Sequence, residues 1–347
     1  MSVVRITEFR STDRDAWNAY VSCHPESTYF HQLSWKRAVE QAFSHRPIYL
    51  MARHGCEVTG LLPLFVVDSV LAGRMIVSLP YATYGGAIAD DENVAAVLIH
   101  EACSIARRLD ACSLELRSLR ASELSLPVRR SHATFCRALP VRADEVLGML
   151  PRKARAAARK ARETGRLSVD FGEHLVEDVW RLYARSMRRL ASPNYPRRFF
   201  DAVVSGAPGG TISLLVRDAR RPVAGLLSFL HRRTVMPYFV GFDERVEIYG
   251  LSQFLYSESM RWGVENGFDM YDFGRSRIDN VGAFAFKKLC GFEPQVLEYQ
   301  DYVLPGRAAP DLAPTSARWH AARRVWRLLP LGVTRPLGAW LARSIPG

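Results

Sequence analysis

The residues with the clearest chemical potential lie close together late in the chain. YDFGRS (271–276) places Asp272 and Arg275 where a strand-like run enters a glycine-containing loop, a common position for functional side chains. Two roles fit Asp272. It can orient an amine and accept its proton, or it can be a structural carboxylate held by a cap or an ion pair. Arg275 and Ser276 suit contact with a phosphate or carboxylate. AFAFKKLCGF (283–292) sets Lys287 among aromatic residues, with Lys288 expected in solvent. Acyl transfer to an amine requires removal of a proton, a donor for the tetrahedral oxyanion and close positioning. It requires no covalent nucleophile, and the chain carries neither a G-x-S-x-G elbow nor a Cys–His signature.

A second feature is the segment LPRKARAAARKARETGR (150–166). Arg152, Arg155, Arg159, Arg162 and Arg166 recur at i, i+3, i+7, i+10 and i+14, one stripe of a helix, with Lys153 and Lys160 beside it. The opposite face is mostly alanine, the strongest helix former, and Gly165 can end the helix. Seven basic residues against the single acid Glu163 is an unusual balance for a merely solvated face. Like charges one turn apart repel, and an anion along the stripe relieves that repulsion. The two readings are therefore contact with a phosphate-rich ligand and a solvated charged face.

In the first half, His31 and Trp35 stand at i, i+4, so one helical face can present both. Tyr81, Tyr84, Gly85 and Gly86 form a loop where backbone can approach a ligand, or one that simply packs. GFDERVEIYGLSQF (241–254) precedes a helix at a place suited to a pyrophosphate, although only Gly250 stands there, with Arg245 upstream.

Helical and strand periodicities alternate around these residues. Helical spacing covers 93–109, 176–190 and 251–267; strand patterns cover 47–54, 58–71, 75–80, 112–119, 211–218, 223–233, 235–243 and 268–274. Both halves read helix, strand meander, helix, strand, and GLLPLFVV resembles AGLLSFLH, which suggests a duplicated fold of the α/β (α+β) class. The expected division is 1–145, 146–304 and a basic, Trp- and Leu-rich tail, 305–347, set off by the linker LPGRAAPDLAPTS (304–316).

The chain has 347 residues and a formal net charge of +12, which suggests an anionic partner. Residues 1–145 carry 16 basic and 16 acidic side chains, residues 146–304 carry 24 and 18, and the tail carries 7 and 1. The excess thus sits in the basic helix and the tail. Trp319, Trp326 and Trp340 among Leu and Arg give the tail the composition of a segment on an anionic membrane surface; packing on its own protein is the alternative. The N-terminal stretch has no apolar signal core, and no apolar run reaches the length of a membrane span. Six cysteines without a C-x-x-C pair read as reduced thiols of a cytoplasmic protein, without a structural metal.

The basic helix, together with STYFHQLSW (27–35), the segment 60–86, SMRRLASPNYPRRFF (186–200), YDFGRSRIDNVGAFAFKKLCGFEPQVLEY (271–299) and the tail segment 322–343, resembles in order and spacing the FemAB-like family of the GNAT superfamily. It is most similar to the subgroup associated with exosortase (PEP-CTERM) systems and exopolysaccharide gene clusters. The resemblance implies two tandem GNAT-like domains, each a mixed, mostly antiparallel sheet flanked by helices. It also implies an acyl or aminoacyl transferase acting on an amine of a peptidoglycan, cell-envelope or exopolysaccharide precursor. On this reading Lys287 is the functional cation near the acyl donor and Asp272 its catalytic companion. Arg152, Arg155, Arg159, Arg275, Ser276, His31, Trp35, Tyr81, Tyr84 and Gly85 bind substrate. No cofactor is tightly bound. The donor is aminoacyl-tRNA or acyl-CoA, and the partners are a phosphorylated or lipid-linked glycan precursor, tRNA where that donor is used, and the inner face of the membrane. The long helical hairpin common in classical members has no room between 176 and 304. A binding protein for RNA or glycan on the same fold is the alternative function.

Overall fold

The run GLLPLFVV shows no polar–apolar alternation because both of its faces are covered. The structure, a computed structural model, describes residues 4–308, 310, 312 and 319–347. Of the linker at 304–316, residues 309, 311 and 313–316 lie outside the described residues. Two compact units form, one from 1–130, 297–320 and 340–347, the other from 131–296 and 321–339.

The first unit runs β1 (Arg5–Glu8), α1 (Arg14–Cys23), α2 (Leu33–Phe43), β2 (Arg46–His54), β3 (Glu57–Ser69), β4 (Gly73–Val77), the short β5 (Ile88–Ala89), α3 (Glu92–Arg108) and β6 (Ser113–Leu116). Strands β1 to β4 pair antiparallel in sequence order, and β4 pairs parallel with β6. Ile48, Leu50, Leu62 and Leu64 point to α3, while Tyr49 and Phe65 point to an aromatic layer with Trp17. β6 does not end the sheet. Part of β15 (Gln295–Val303) pairs antiparallel with it, from Gln300↔Leu116 to Val303↔Ser113. That return of the chain, and the earlier crossing at 130/131, divide the molecule differently from cuts at 145/146 and 304/305.

The second unit contains the end of β7 (Val128–Thr134), β8 (Cys136–Ala138), α4 (Val146–Met149), α5 (Arg152–Glu163), β9 (Leu167–Phe171), α6 (Val176–Arg189), α7 (Arg197–Gly206), β10 (Thr211–Asp218), β11 (Arg221–His231), β12 (Thr234–Phe242), α8 (Leu251–Glu265), β13 (Met270–Asp272), β14 (Ser276–Arg277) and α9 (Val281–Leu289). From β9 to β13 it repeats the first unit's order: strand, two helices, three antiparallel strands, helix, parallel strand. The sheet order is β8-β13-β12-β11-β10-β9. The parallel pairing of β12 with β13 covers only Thr234↔Met270 and Val235↔Tyr271. β12 is bulged, with a register shift where Pro237, lacking an N–H, meets Ser228.

The tail is folded, as α10 (His320–Leu328) and α11 (Leu331–Ala342). Residues 321–339 belong to the second unit and 340–347 to the first, so it is not a detached segment. Among the described residues no helix is long and apolar enough to cross a membrane.

One packing contact in the second unit depends on glycine. Gly225 and Gly241 stand opposite each other on β11 and β12 beneath α6. A Cβ on Gly241 would meet the Tyr183 nitrogen at 2.1 Å and the Leu182 carbonyl carbon at 2.2 Å. We therefore expect Gly241→Ala to destabilise the protein by about 2 kcal/mol or more, because helix backbone must move. Gly148→Ala, with nothing within 4 Å of the added methyl, should be neutral or gain up to about 1 kcal/mol. Chemical denaturation of the two variants checks the contrast.

Candidate functional site

The parallel strand β13 delivers Asp272 to its end, and the chain then turns sharply. The Asp272 carboxylate accepts from the Gly274 N–H at 2.7 Å, an Asx turn, and from the Thr134 hydroxyl at 3.2 Å. Gly274 is left-handed at φ +63°, a conformation that favours glycine. The turn aims three successive carbonyls, of Phe273, Gly274 and Arg275, at one point. Lys287, in the last turn of α9, fills that point. Its Nζ donates to them at 2.8, 2.8 and 3.2 Å. Lys287 is 9% exposed, and its ammonium stands 5.1 and 5.9 Å from the ring centres of Phe135 and Phe273. Burial pushes its pKa down to about 8, against the pull of Asp272 and Cys136. The three carbonyls also favour the charged form. Ser276 is buried and opens β14, opposite Ala133. Asp272, Arg275, Ser276 and Lys287 are thus assembled in one turn of the second unit.

All three N–H bonds of Lys287 are engaged by main chain. Truncating Lys287 would strand three carbonyls, so Lys287→Ala cannot be assumed to leave the fold intact.

The basic helix forms as α5 and packs its alanines inward. Ala154, Ala157, Ala158 and Ala161 are buried, and α8 lies against them. The contact is close: a Cβ on Gly250, the residue preceding α8, would stand 2.0 Å from the Ala157 carbonyl oxygen. Ala154 shares an apolar cluster with Phe135, Phe273 and Phe292. Arg137 ties the helix start to the end of α9, donating to the carbonyls of Met149 at 2.8 Å and Gly291 at 3.1 Å. The arginine stripe divides in two. Arg162 pairs with Glu258 and Arg166 with Asp218. Arg152, Lys153, Arg155 and Arg159 make no ion pair with any described residue. They crowd the first two turns, where the helix dipole is already positive and no acid stands in the first turn.

The turn before α8 is organised from within. The Asp243 carboxylate is buried and receives Arg245 at 3.1 Å, Arg221 at 2.5 Å and Arg185 at 3.3 Å. Hydrogen bonds from Arg245 and Arg221 hold its pKa far below the usual carboxylate range, against burial. Arg245 is therefore engaged by protein, and Gly250 serves the α5–α8 contact.

Residues 151–288, from the start of α5 to the turn that holds Lys287, match the acetyltransferase (GNAT) domain family. Solved structures share the fold over most of the chain. FemX superposes with a TM-score of 0.63 at 14% identity, covering 86% of this chain and 97% of that one. The C-terminal domain of a putative lysylphosphatidylglycerol synthetase from Agrobacterium fabrum gives 0.54 at 12%, covering 83% and 91%. A tandem GNAT protein from the clavulanic acid biosynthesis pathway gives 0.52 at 11%, covering 87% and 98%. No curated protein sequence matches the chain. Most of the chain thus shares the fold of FemX, and its second half carries a match to the GNAT domain family.

Within this fold, the residues singled out in the first half are buried in the first unit. His31 lies in a tight turn, Tyr29–His31, and Gln32 is extended, so His31 and Trp35 do not share a helical face. The reason is local: the Thr28 N–H donates to His31 Nδ1 at 3.2 Å, leaving Nε2–H to donate to the Gly86 carbonyl at 3.1 Å. Trp35 is wholly buried against Phe30. Tyr81 is left-handed, and its hydroxyl donates to the Ala342 carbonyl at 3.0 Å while receiving His45 Nε2 at 2.7 Å. Tyr84 is buried, and Gly85 leaves no room for a Cβ beside Leu79 and Ser78. The fully buried Arg117 donates to the carbonyls of Ala82, Pro346 and Gly347 and pairs with Glu115. The loop and residues 340–347 thus pack together.

Sequence reasoning missed Thr134, Phe135, Arg137, Asp243 and Arg117. Each acts through contacts with distant segments, and none carries a local motif.

A titration follows from the Lys287 geometry. Its ordinary value is 10.5 and its folded value about 8, so between these the unfolded chain binds the extra proton and stability rises with pH. The cost of the buried charge is fully present below about 8 and disappears toward 10.5. NMR of the Lys287 ε-carbon should show a midpoint near 8. A midpoint at or above 10.5 would mean that the three carbonyls outweigh burial.

Proposed function

We propose that this protein is an acyl or aminoacyl transferase that acylates an amine of a cell-envelope or exopolysaccharide precursor by direct attack. The observation that carries the reading is the Asp272 carboxylate, oriented by Gly274 and Thr134 at the end of the parallel strand of a GNAT domain. The amine nitrogen bonds to the acyl carbon, and the carbon–oxygen or carbon–sulfur bond to the donor's leaving group breaks. The amine's proton passes through Asp272 and ends on that leaving group, which departs as an alcohol or thiol. Lys287 is assigned a positioning role, because its donors hold the turn that carries Asp272, Arg275 and Ser276. The unpaired cations Arg152, Arg155 and Arg159 are assigned to a phosphate-bearing substrate, whether donor or glycan precursor. Sharing a fold with a putative lysylphosphatidylglycerol synthetase supports an acceptor found at a membrane surface.

The test supplies envelope glycan precursors with either acyl-CoA or aminoacyl-tRNA and looks for the acylated product by mass spectrometry. Asp272→Asn keeps an oxygen for Gly274 and Thr134 but loses the base. Its transfer rate should fall by about 10²-fold or more, with the native fold retained by circular dichroism; an unchanged rate would remove Asp272 from the chemistry.

The stripe has its own check. The Arg155→Gln/Arg159→Gln variant should bind the phosphorylated substrate about tenfold more weakly and with a shallower salt dependence. Equal affinity and equal slope would make the stripe a solvated face.

A further inference from the structure

The second tail helix, α11, wears its polarity the wrong way round for a protein surface in water. α11 buries Thr334, Gly338 and Ala342, one stripe at i, i+4 and i+8. Its exposed stripe is Val333, Pro336, Leu337 and Trp340, without a single polar side chain. The helix cannot simply roll this face inward. A Cβ on Gly338 would stand 2.4 Å from Asn194 Oδ1, and the Asn194 amide donates to the Arg335 carbonyl at 3.3 Å. Glycine at the contact locks the apolar stripe outward.

α10 continues the surface before Pro330 ends its helical register. Trp326 is buried, and Arg323 donates to the Leu190 carbonyl at 3.3 Å. Facing out are Arg324, Val325, Arg327 and Leu328, the last 81% exposed. Leu190, beside Arg323, is exposed as well, and so is Arg189. Arg189, Arg324 and Arg327 make no ion pair with any described residue. No aspartate or glutamate occurs after Asp311.

We propose that this surface seats the protein on an anionic lipid bilayer. The apolar stripe of α11, ending in Trp340, enters the interfacial layer, and Arg324, Arg327 and Arg189 meet lipid phosphates. Uncompensated arginines beside an exposed aliphatic and indole stripe match that surface in both charge and polarity. A second copy of the chain would bring the same uncompensated arginines against themselves, which opposes self-association. The inference deepens the membrane-surface acceptor of the transferase reading, but it rests on the surface alone. It is tested without donor or acceptor, so either idea can fail by itself.

The experiment is co-sedimentation of the full chain with vesicles of phosphatidylcholine, alone or mixed with phosphatidylglycerol. Wild type should bind the mixed vesicles and not the neutral ones, with binding that weakens as salt rises. Leu337→Asn/Trp340→Asn should lose about tenfold or more of that binding, and Arg324→Gln/Arg327→Gln should lose it and flatten the salt dependence. Should the first pair fail to fold by circular dichroism, Leu328→Gln on the most exposed position replaces it. Absence of binding to mixed vesicles, or undiminished binding by both variants, overturns the proposal. So does light scattering that shows a dimer which Leu337→Asn dissociates, since that assigns the face to a second copy.

Discussion

A buried ammonium needs acceptors for all three of its N–H bonds, and Lys287 takes them from three consecutive carbonyls. Those carbonyls converge only because Asp272 closes an Asx turn and Gly274 turns left-handed. The turn, in turn, sets where Asp272, Arg275 and Ser276 stand. The aromatic rings of Phe135 and Phe273 exclude water from the ammonium while offering it their faces. Charge, turn and ring cluster are therefore mutually dependent, and the candidate chemistry rests on a lysine whose first task is to hold main chain.

The same constraint explains the neighbourhood. α9 must end where Lys287 can reach the turn, and Arg137 fixes that end to the start of α5 through the Gly291 and Met149 carbonyls. The alanine face of α5 and Gly250 let α5 settle onto α8. The cations of the first two turns make no ion pair with any described residue, while those at the other end are neutralised by Glu258 and Asp218. One helix thus carries an end tied into the protein and an end whose cations form no ion pair with the described residues.

The duplicated order of elements does not duplicate the site. At the end of β6, the first unit places Arg117 where β13 leads to the Asp272 turn. Arg117 is wholly buried and spends its donors on loop carbonyls and on Pro346 and Gly347. One position in the repeat has been used to close a core, the other to present a carboxylate. The sequence resemblance between GLLPLFVV and AGLLSFLH reports the shared sheet, where two buried faces demand apolar residues, and says nothing of what the strand ends do.

The residues alone determined the α/β elements, the duplication, the alanine-backed basic helix and the strand end at Asp272, because periodicity, helix propensity and glycine turns act over a few neighbours. Lys287, set among aromatic residues, is singled out by the resemblance to the FemAB-like family rather than by spacing. The same local reasoning misplaced His31 with Trp35, since Thr28 binds His31 and breaks the helix between them. It also left Tyr81 and Tyr84 open as ligand contacts. Only the tertiary structure decided that Lys287 is saturated by carbonyls, that two of the five stripe arginines are paired, and that the tail is folded with its apolar stripe outward. Each of those facts depends on partners distant in the chain, from Thr134 with Asp272 to Asn194 with Arg335, and no spacing rule within one segment encodes which distant groups will satisfy a buried charge.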